Sequence, residues 1–291
     1  MAPVLTRHVY DGVTLLGDDN RPGGVTLAFT ERTGGVSRAP YASLNLGSRC
    51  GDDAAAVAKN RALALAAMGA ASIAANLVEP KQVHGDHVVV VRRAAGAAAG
   101  GHALGEHATR EGAATLAAGQ ATLVDAARAE ALAGADAIVC TVPGVPVLLC
   151  FADCVPVVLA APRAFAVIHS GWRGTLARIS AKALGILCEE AVCEPADVVA
   201  YIGPHISGED YEVSPELLAT FTAEFGPCVE LSGMPRHLNL AAAITTALAE
   251  CGLPSHNICC VRESTASHLD RFYSYRAEEG TCGRHAAIAF L

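Results

Sequence analysis

The 291-residue sequence has no long apolar run, few charged side chains and no excess of positive charge. We find no stretch of about 18 uncharged apolar residues, so no membrane-spanning helix is expected. The sequence has 21 lysines and arginines against 29 aspartates and glutamates. This net charge of −8 argues against a nucleic-acid-binding protein that depends on a basic surface. The 52% of hydrophobic residues instead predicts a folded protein with a sizeable core.

The 11 cysteines form no Cys-x-x-Cys pair, which leaves zinc ribbons and thioredoxin-type redox motifs without support. The first residues, Met1 to Arg7, lack the charged start, apolar stretch and cleavage site of a secretory signal peptide. We therefore expect reduced thiols, most of them buried as small apolar groups, and a cytoplasmic location.

The apolar segments predict a single α/β domain, residues 1–291, of mixed topology. Short apolar runs bounded by turn residues are typical of strands that are buried on both faces. The predicted strands cover residues 25–30, 145–151, 156–159, 164–168, 198–202 and 286–290, with a strand, a polar motif and a second strand between residues 77 and 91. The predicted helices cover residues 54–68, 175–191, 215–225 and 240–251. No repeat is visible and no linker divides the chain.

Residues 94–133 differ in composition, since 17 of these 40 positions are alanine and six are glycine. We predict an insertion that is partly helical, above all over residues 121–132, and partly a mobile surface segment. His102 and His107 lie in it, and we interpret them as solvated loop histidines rather than as a second metal site.

Three short segments place reactive polar side chains at the ends of apolar strands. Glycine beside such residues lets the backbone approach a ligand closely, and rigid strand ends are where folds commonly place reactive groups. The segments are Lys81-Gln82-Val83-His84-Gly85-Asp86, Ala152-Asp153-Cys154-Val155-Pro156 and His169-Ser170-Gly171-Trp172-Arg173-Gly174-Thr175.

His84, Cys154 and His169 together indicate a catalytic pocket. One thiolate and two imidazoles with an open position for water form a ligand pattern of catalytic zinc, and copper accepts the same ligand types. The three residues also suit a Cys–His nucleophile pair with a second histidine that orients the first. Both interpretations predict an enzyme that acts on a small polar substrate through these three side chains.

These motifs, with others along the chain, resemble the laccase-domain family. This family is also called the multicopper polyphenol oxidoreductase or purine nucleoside phosphorylase family, and it includes a bacterial peptidoglycan editing factor. The resemblance extends over nearly the whole chain, and its further matches are Ser43-Leu44-Asn45-Leu46-Gly47, Gly51-Asp52-Asp53, Asn60-Arg61, Ile202-Gly203-Pro204-His205-Ile206, Tyr211-Glu212-Val213 and Phe272-Tyr273-Ser274-Tyr275-Arg276. The chain departs from the family pattern at His205, where the family commonly has cysteine, and in the extra length of residues 94–133.

The resemblance implies a fold, a cofactor and an activity. The family fold is a four-layer α/β/β/α sandwich with mixed sheets and a pocket at strand ends. The metal-binding residues of the family fall on His84, Cys154 and His169, which implies zinc or copper as the cofactor. The family activities are phosphorolysis of adenosine, inosine, guanosine and 5′-methylthioadenosine, and deamination of adenosine. They imply that purine nucleosides and phosphate are the partners of this chain.

The chemistry of the motif side chains assigns several of them to the substrate. We predict that Arg61, Arg173 and Arg276 bind phosphate, because a guanidinium grips two oxygens at once. We predict that Asn45 and Gln82 hydrogen-bond the ribose or the base edges.

Three further motif residues are predicted to support the site. Trp172 is a candidate surface on which a purine stacks. Asp153, next to Cys154, is predicted to orient His84 or His169 as a hydrogen-bond partner, and His205 is a second supporting residue.

Two other activities and a binding role stay open. A Cys–His amidase that edits peptidoglycan precursors would use Cys154 as nucleophile and His169 as base. A copper-dependent polyphenol oxidase needs more than one copper, and the sequence offers one good ligand set, so this activity ranks below the others. A non-catalytic protein would bind purine nucleosides without converting them.

Overall fold

The structure, a computed structural model, describes residues 2–93 and 110–291. The predicted surface histidines His102 and His107 and the first part of the 94–133 segment lie outside the described residues. The end of that segment is helical, as predicted for residues 121–132, and the helix begins earlier, at Arg110.

The helices differ widely in length and are numbered in chain order. They are α1 (Ala54–Ala67), α2 (Arg110–Ala133), α3 (Trp172–Leu176), α4 (Ile179–Ala191), α5 (Pro215–Phe225) and α6 (Leu240–Glu250). No helix of the described residues combines the length and the hydropathy that a bilayer crossing requires.

The strands form two large sheets and a short hairpin. The strands are β1 (Thr6–Tyr10), β2 (Val13–Gly17), β3 (Thr26–Thr30), β4 (Val88–Val91), β5 (Ala137–Cys140), β6 (Val147–Phe151), β7 (Val155–Ala161), β8 (Ala164–Ser170), β9 (Val199–Ile202), β10 (Glu230–Leu231), β11 (Met234–Leu238), β12 (Ile258–Cys260) and β13 (His285–Phe290). The five-stranded sheet has the order β1-β2-β3-β13-β6, and the six-stranded sheet has the order β12-β9-β7-β8-β5-β4. The larger sheet is mixed, because β12 is parallel to β9 and β4 is parallel to β5.

The two sheets pack face to face with helices on their outer faces. Successive side chains of a strand point to opposite faces, so Val157 of β7 packs toward α4 and α6 while Val158 packs between the sheets. Phe29 and Phe151 of the smaller sheet meet Val158 in that inner layer, and Leu65 of α1 covers the opposite face of the smaller sheet. This arrangement confirms the predicted four-layer α/β/β/α sandwich with mixed sheets.

Most of the predicted elements are confirmed with small shifts at their ends. Asp53 caps α1 by accepting hydrogen bonds from the amides of Ala55 and Ala56, and the helix ends just before Gly69, as the sequence indicates. Between residues 77 and 91 the second predicted strand forms as β4. The first is reduced to an isolated bridge between Val78 and Val147.

The helix predicted over residues 175–191 is two helices, α3 and α4. The chain turns between them at Arg178, whose φ of 56° lies in the left-handed region. Ion pairs with Glu224 of α5 and Glu250 of α6 hold Arg178 in place. A left-handed arginine leaves no mark in a sequence, as a glycine there would, so the sequence pattern does not reveal the break.

A buried carboxylate ties the first strand to the C-terminal part of the chain. Glu31 follows β3 and is fully buried, and Arg7 of β1 donates to both of its oxygens at 2.8 and 2.9 Å. Arg271 donates to Oε1 of the same carboxylate at 2.9 and 2.7 Å. Burial by itself would raise the pKa of Glu31, but the hydrogen bonds from the two arginines outweigh it and lower the pKa.

Replacing this carboxylate is expected to destabilise the fold in a pH-dependent way. Glu31→Gln should lower the free energy of unfolding at neutral pH by about 1.5–3 kcal/mol, the range for hydrogen bonds to charged groups. Because the pKa of Glu31 is lowered by folding, the wild-type carboxylate stabilises fully above its ordinary pKa of 4.5. That stabilisation is lost as the pH falls through the lower folded value. Urea unfolding of both proteins should therefore give a difference that shrinks below pH 4.5. The exposed Glu209→Gln is the control, and a pH-independent difference would contradict this account.

Candidate active site

Cys154, His169 and Asp136 meet because the strands that carry them are neighbours. Cys154 directly precedes β7, His169 is the next-to-last residue of β8, and Asp136 directly precedes β5. Strand β8 is antiparallel to both of its neighbours, and Pro156 of β7 lies opposite His169. The start of β7, the end of β8 and the start of β5 therefore lie at the same end of the sheet.

His84 completes a compact group of three side chains. It lies in the loop before β4, with a φ of 60°. The ligand atoms of His84, Cys154 and His169 all lie within 4.8 Å of one another, and the two imidazole rings are 4.8 Å apart at an angle of 86°. His84 is exposed and His169 is buried, so the group opens to solvent at His84. The fold thus brings together the three residues that the sequence motifs select.

Two glycines create the space in which these side chains meet. A Cβ on Gly171 would lie 3.2 Å from Sγ of Cys154 and 3.3 Å from Cδ2 of His84. A Cβ on Gly174 of α3 would lie 2.9 Å from the carbonyl oxygen of Gly85. Helix α3 therefore packs directly on the loop that carries His84, which a larger residue at either position would prevent.

The buried carboxylate of Asp136 holds both histidines in place. Its Oδ1 accepts hydrogen bonds from Nδ1 of His169 at 2.8 Å and from the amide of His84 at 3.0 Å. Its Oδ2 accepts from the amides of Gly85 at 2.7 Å and Val83 at 3.2 Å. Three successive amides around one anion form a nest. These bonds keep His84 in its left-handed conformation, which costs of order 1–3 kcal/mol.

Opposite charges stabilise one another in this buried group. Burial disfavours a thiolate, but His169 and His84 outweigh it and lower the pKa of Cys154 to about 6. Burial also disfavours a charged imidazole, yet Cys154 and Asp136 raise the pKa of His169 to about 9. The two pKa shifts have opposite signs and are mutually consistent, because both favour the charged form of the group, and they describe one proton held by His169 between a thiolate and a carboxylate.

A cavity of about 630 Å³ opens beside the three side chains, a size typical of small-molecule sites. Its wall is basic although the chain carries a net charge of −8, since five arginines of the described residues face two carboxylates. These residues are Arg49, Arg61, Arg173, Arg276 and Arg284, with Glu79 and Asp153. The cavity is therefore suited to an anionic ligand.

Arg61 and Gln82, two of the predicted substrate-binding residues, line this cavity but are largely occupied by the protein itself. The guanidinium of Arg61 pairs with Glu79 and donates to the carbonyl of Leu46. The amide of Gln82 donates to the carbonyl of Cys150 at 2.7 Å and accepts from its N–H at 2.9 Å. Their roles toward a substrate stay predictions.

Arg173 and Arg276 also line the cavity, each with its guanidinium over an aromatic ring. The guanidinium of Arg173 lies 4.3 Å from the ring centre of Trp172, and that of Arg276 lies 5.2 Å from the ring centre of Tyr211. The indole of Trp172 also packs against the core on the α4 and α6 side, so Arg173 and the core cover much of the surface that was predicted to stack on a purine.

Asn45 and Asp153 have different roles from those predicted. Asn45 is fully buried away from the cavity lining, and its amide accepts from Gly47 and Arg284 and donates to Asp52. It is therefore a structural residue, unavailable to a ribose or a base.

Asp153 lines the cavity but does not orient the histidines, a role that Asp136 performs. Its carboxylate accepts from Oγ1 of Thr265 at 2.6 Å and from the amide of Arg276 at 2.7 Å. His205 is buried and bonded through Nδ1 to the carbonyl of Gly203 at 2.7 Å. The neighbour of His205, Ile206, lines the cavity.

The sequence motifs miss Asp136, Arg49 and Arg284. Asp136 is a single carboxylate that directly precedes an apolar strand, and a carboxylate at the entry of a buried strand is the signal that would have identified it. Arg49 and Arg284 are far apart in sequence and belong to no reactive motif, so their approach is a result of the fold alone.

Comparison with known proteins identifies the family. The sequence profile described as multi-copper polyphenol oxidoreductase laccase matches residues 26–291. A purine nucleoside phosphorylase of Deinococcus radiodurans is 34% identical over 270 residues, which is 92% of this chain and 89% of that protein. A purine nucleoside phosphorylase of Streptomyces coelicolor is 31% identical over 282 residues, which is 95% of this chain and 100% of that protein.

Solved structures share the fold. The crystal structure of YlmD from Geobacillus stearothermophilus superposes with a TM-score of 0.79 at 25% identity, with 99% of both chains covered. The Neisseria meningitidis protein NMB0706 gives a TM-score of 0.70 at 26% identity, also with 99% of both chains covered. Sequence motifs, sequence profile and fold agree, and the chain belongs to the multi-copper polyphenol oxidoreductase laccase family.

Proposed function

We propose that this chain is a purine nucleoside phosphorylase that acts on adenosine, inosine, guanosine and 5′-methylthioadenosine and also deaminates adenosine. The proposal rests on the activity for which the relatives of this chain are named. The proteins from Deinococcus radiodurans and Streptomyces coelicolor, which align over most of their lengths, are both purine nucleoside phosphorylases. The basic cavity beside a buried proton-holding group supports it, because phosphorolysis needs a bound phosphate and a proton for the leaving purine.

Different side chains of the cavity bind the phosphate and donate the proton. An oxygen of orthophosphate forms a bond to C1′ of the ribose while the bond from C1′ to the purine nitrogen breaks, and the purine leaves with that electron pair. Arg173 and Arg276 are assigned to the phosphate because both line the cavity: Arg173 is part of the His169 motif, and the backbone amide of Arg276 donates to Asp153, the neighbour of Cys154. Nε2 of His169, the ring nitrogen that Asp136 does not hold, donates the proton to the purine.

The donor set also fits a metal ion. A thiolate and two imidazoles within 4.8 Å of one another are ligands that zinc and copper both accept, and the bond from His169 to Asp136 is the usual support of a metal-binding histidine. His84, Cys154 and His169 would hold the ion, and Nε2 of His169 would then be a ligand and not a proton donor. Zinc, when bound, supplies a Lewis acid that lowers the pKa of a water molecule to about 7, which suits hydrolytic deamination of adenosine.

Removing the thiol tests the proposal directly. Cys154→Ala is expected to lower adenosine phosphorolysis and deamination by about 10² or more, because proton transfer and metal binding both depend on this residue. The assay incubates adenosine with and without phosphate and separates adenine, ribose 1-phosphate and inosine. Cys150→Ala is the matched control, since Cys150 lines the same cavity but its backbone, not its thiol, bonds Gln82. Undiminished turnover by Cys154→Ala, or no product from the wild type, would refute the proposal.

The support from Asp136 gives a second test. In Asp136→Asn an N–H group replaces one carboxylate oxygen and faces backbone donors. We therefore expect the free energy of unfolding to fall by about 1–3 kcal/mol and the affinity for zinc to fall about 10–100-fold. Zinc affinity is measured by competition with a chromogenic chelator, and stability by urea unfolding. The exposed Asp125→Asn in α2 is the control. Unchanged zinc affinity in a folded Asp136→Asn protein would show that the carboxylate does not support a metal site.

A Cys–His amidase that edits peptidoglycan precursors is the second candidate. The observation that favours it is the order of contacts from Cys154 to His169 to Asp136, since a nucleophile, a base and an orienting group in this order form a thiol-hydrolase arrangement. Chelation and alkylation separate the two candidates. An amidase is expected to keep its activity in excess chelator and to lose it on treatment with iodoacetamide. Sensitivity of peptidoglycan-precursor hydrolysis to chelator would contradict this candidate.

A further inference from the structure

The cavity holds more positive charge than one phosphate requires. Five arginines and two carboxylates leave an excess of three positive charges in its wall. A phosphate group carries about −1.5 to −2 charge near neutral pH, so orthophosphate leaves part of that excess unmatched. The excess is local, because the chain as a whole has a net charge of −8.

The arginines form two groups on different parts of the wall. Arg173 and Arg276 form the first group, since Arg173 is part of the His169 motif and the backbone amide of Arg276 donates to Asp153, the neighbour of Cys154. Arg49 and Arg284 belong to a second group, defined here as the outer arginine pair. It lies with Arg61 around residues 46–50, 79–80 and 150, and the guanidinium of Arg284 reaches to 5.7 Å from the ring centre of Tyr275, where the two groups adjoin.

The outer arginine pair carries the charge of its part of the wall. Arg61 is neutralised by its ion pair with Glu79. Arg49 and Arg284 form no ion pair with a carboxylate anywhere in residues 2–93 and 110–291. Two unmatched guanidinium groups on one wall form a site for an anion with several oxygens.

This part of the wall is built by buried contacts. The fully buried Asn45 accepts from the amides of Gly47 at 3.0 Å and Arg284 at 2.8 Å. A Cβ on Gly47 would lie 2.7 Å from Cγ of Arg284, so the arginine side chain packs directly on this glycine. Nη1 of Arg49 donates to the carbonyl of Pro80 at 3.2 Å, which holds its guanidinium at the wall.

We propose that the outer arginine pair is a second anion subsite and that the cavity takes nucleosides bearing a 5′-phosphate ester. The inference rests on the proposed function, in which a purine nucleoside occupies the cavity with its C1′ near orthophosphate and His169. The 5′ carbon is attached at C4′, on the same face of the ribose as the purine, so its ester lies apart from an orthophosphate that attacks C1′ from the opposite face. The ester oxygens are received by Arg49 and Arg284, while orthophosphate stays with Arg173 and Arg276.

Binding of inosine and inosine 5′-monophosphate tests the subsite. Titration calorimetry on Cys154→Ala, in which turnover is suppressed, should give a dissociation constant for the monophosphate about tenfold or more below that for inosine. Adding Arg49→Ala should bring the ratio of the two constants toward one. Adding Arg128→Ala, an arginine of α2 outside the cavity, should leave the ratio as it was. Equal constants for the two ligands in the Cys154→Ala protein would overturn the proposal.

A second arm separates the ester from free phosphate. The monophosphate titration is repeated with saturating inorganic phosphate, and the preference over inosine should persist, because the two anions bind different arginines. Loss of the preference would mean that both anions share one subsite, which also overturns the proposal. These binding results do not depend on product formation, so a failure of the subsite is distinguishable from a failure of the phosphorylase activity.

Discussion

The carboxylate of Asp136 is the interaction on which the candidate site depends. It is fully buried and accepts four hydrogen bonds, one from His169 and three from the loop that carries His84. A buried anion is stable only when hydrogen-bond donors surround it in this way. The loss of any one donor therefore leaves the negative charge incompletely hydrogen-bonded and destabilises the whole group. The same carboxylate therefore fixes one histidine through its ring and the other through its backbone. It also favours the charged form of His169, which in turn favours the thiolate of Cys154.

The second constraint is where the charges lie rather than how many there are. The net charge of −8 argues against a basic protein surface, but it does not describe the cavity, where arginine outnumbers carboxylate. Aromatic rings and carbonyl oxygens hold most of these guanidinium groups, and neither removes their charge. An anion-binding cavity can therefore exist in an acidic protein, because field strength in a partly enclosed site depends on its own wall.

The local pattern of apolar and polar residues in the sequence predicted much of the fold, and each prediction that the structure contradicts failed for a specific reason. Runs such as Val155–Ala161 are apolar at every position because the strand is buried on both faces, so their strand character was visible. The break at Arg178 was not visible, because a left-handed arginine has no sequence signature and its partners Glu224 and Glu250 are distant in the chain. Asn45 and Asp153 were assigned to the ligand and to the histidines from their place in motifs. Their hydrogen bonds to Arg284, Thr265 and Arg276 come from residues more than 100 positions away.

The sequence by itself determined the family, the layered α/β architecture and the choice of His84, Cys154 and His169, because apolar periodicity and reactive residues at strand ends are local properties. The tertiary structure alone decided that Asp136 orients the histidines, that Glu79 neutralises Arg61, and that Arg49 and Arg284 meet at one wall. Pairing between charges depends on distance in space. Strands β5, β7 and β8 bring Asp136, Cys154 and His169 together only when the sheet forms, and Arg61 of α1 meets Glu79 only when the loops pack on the sheets.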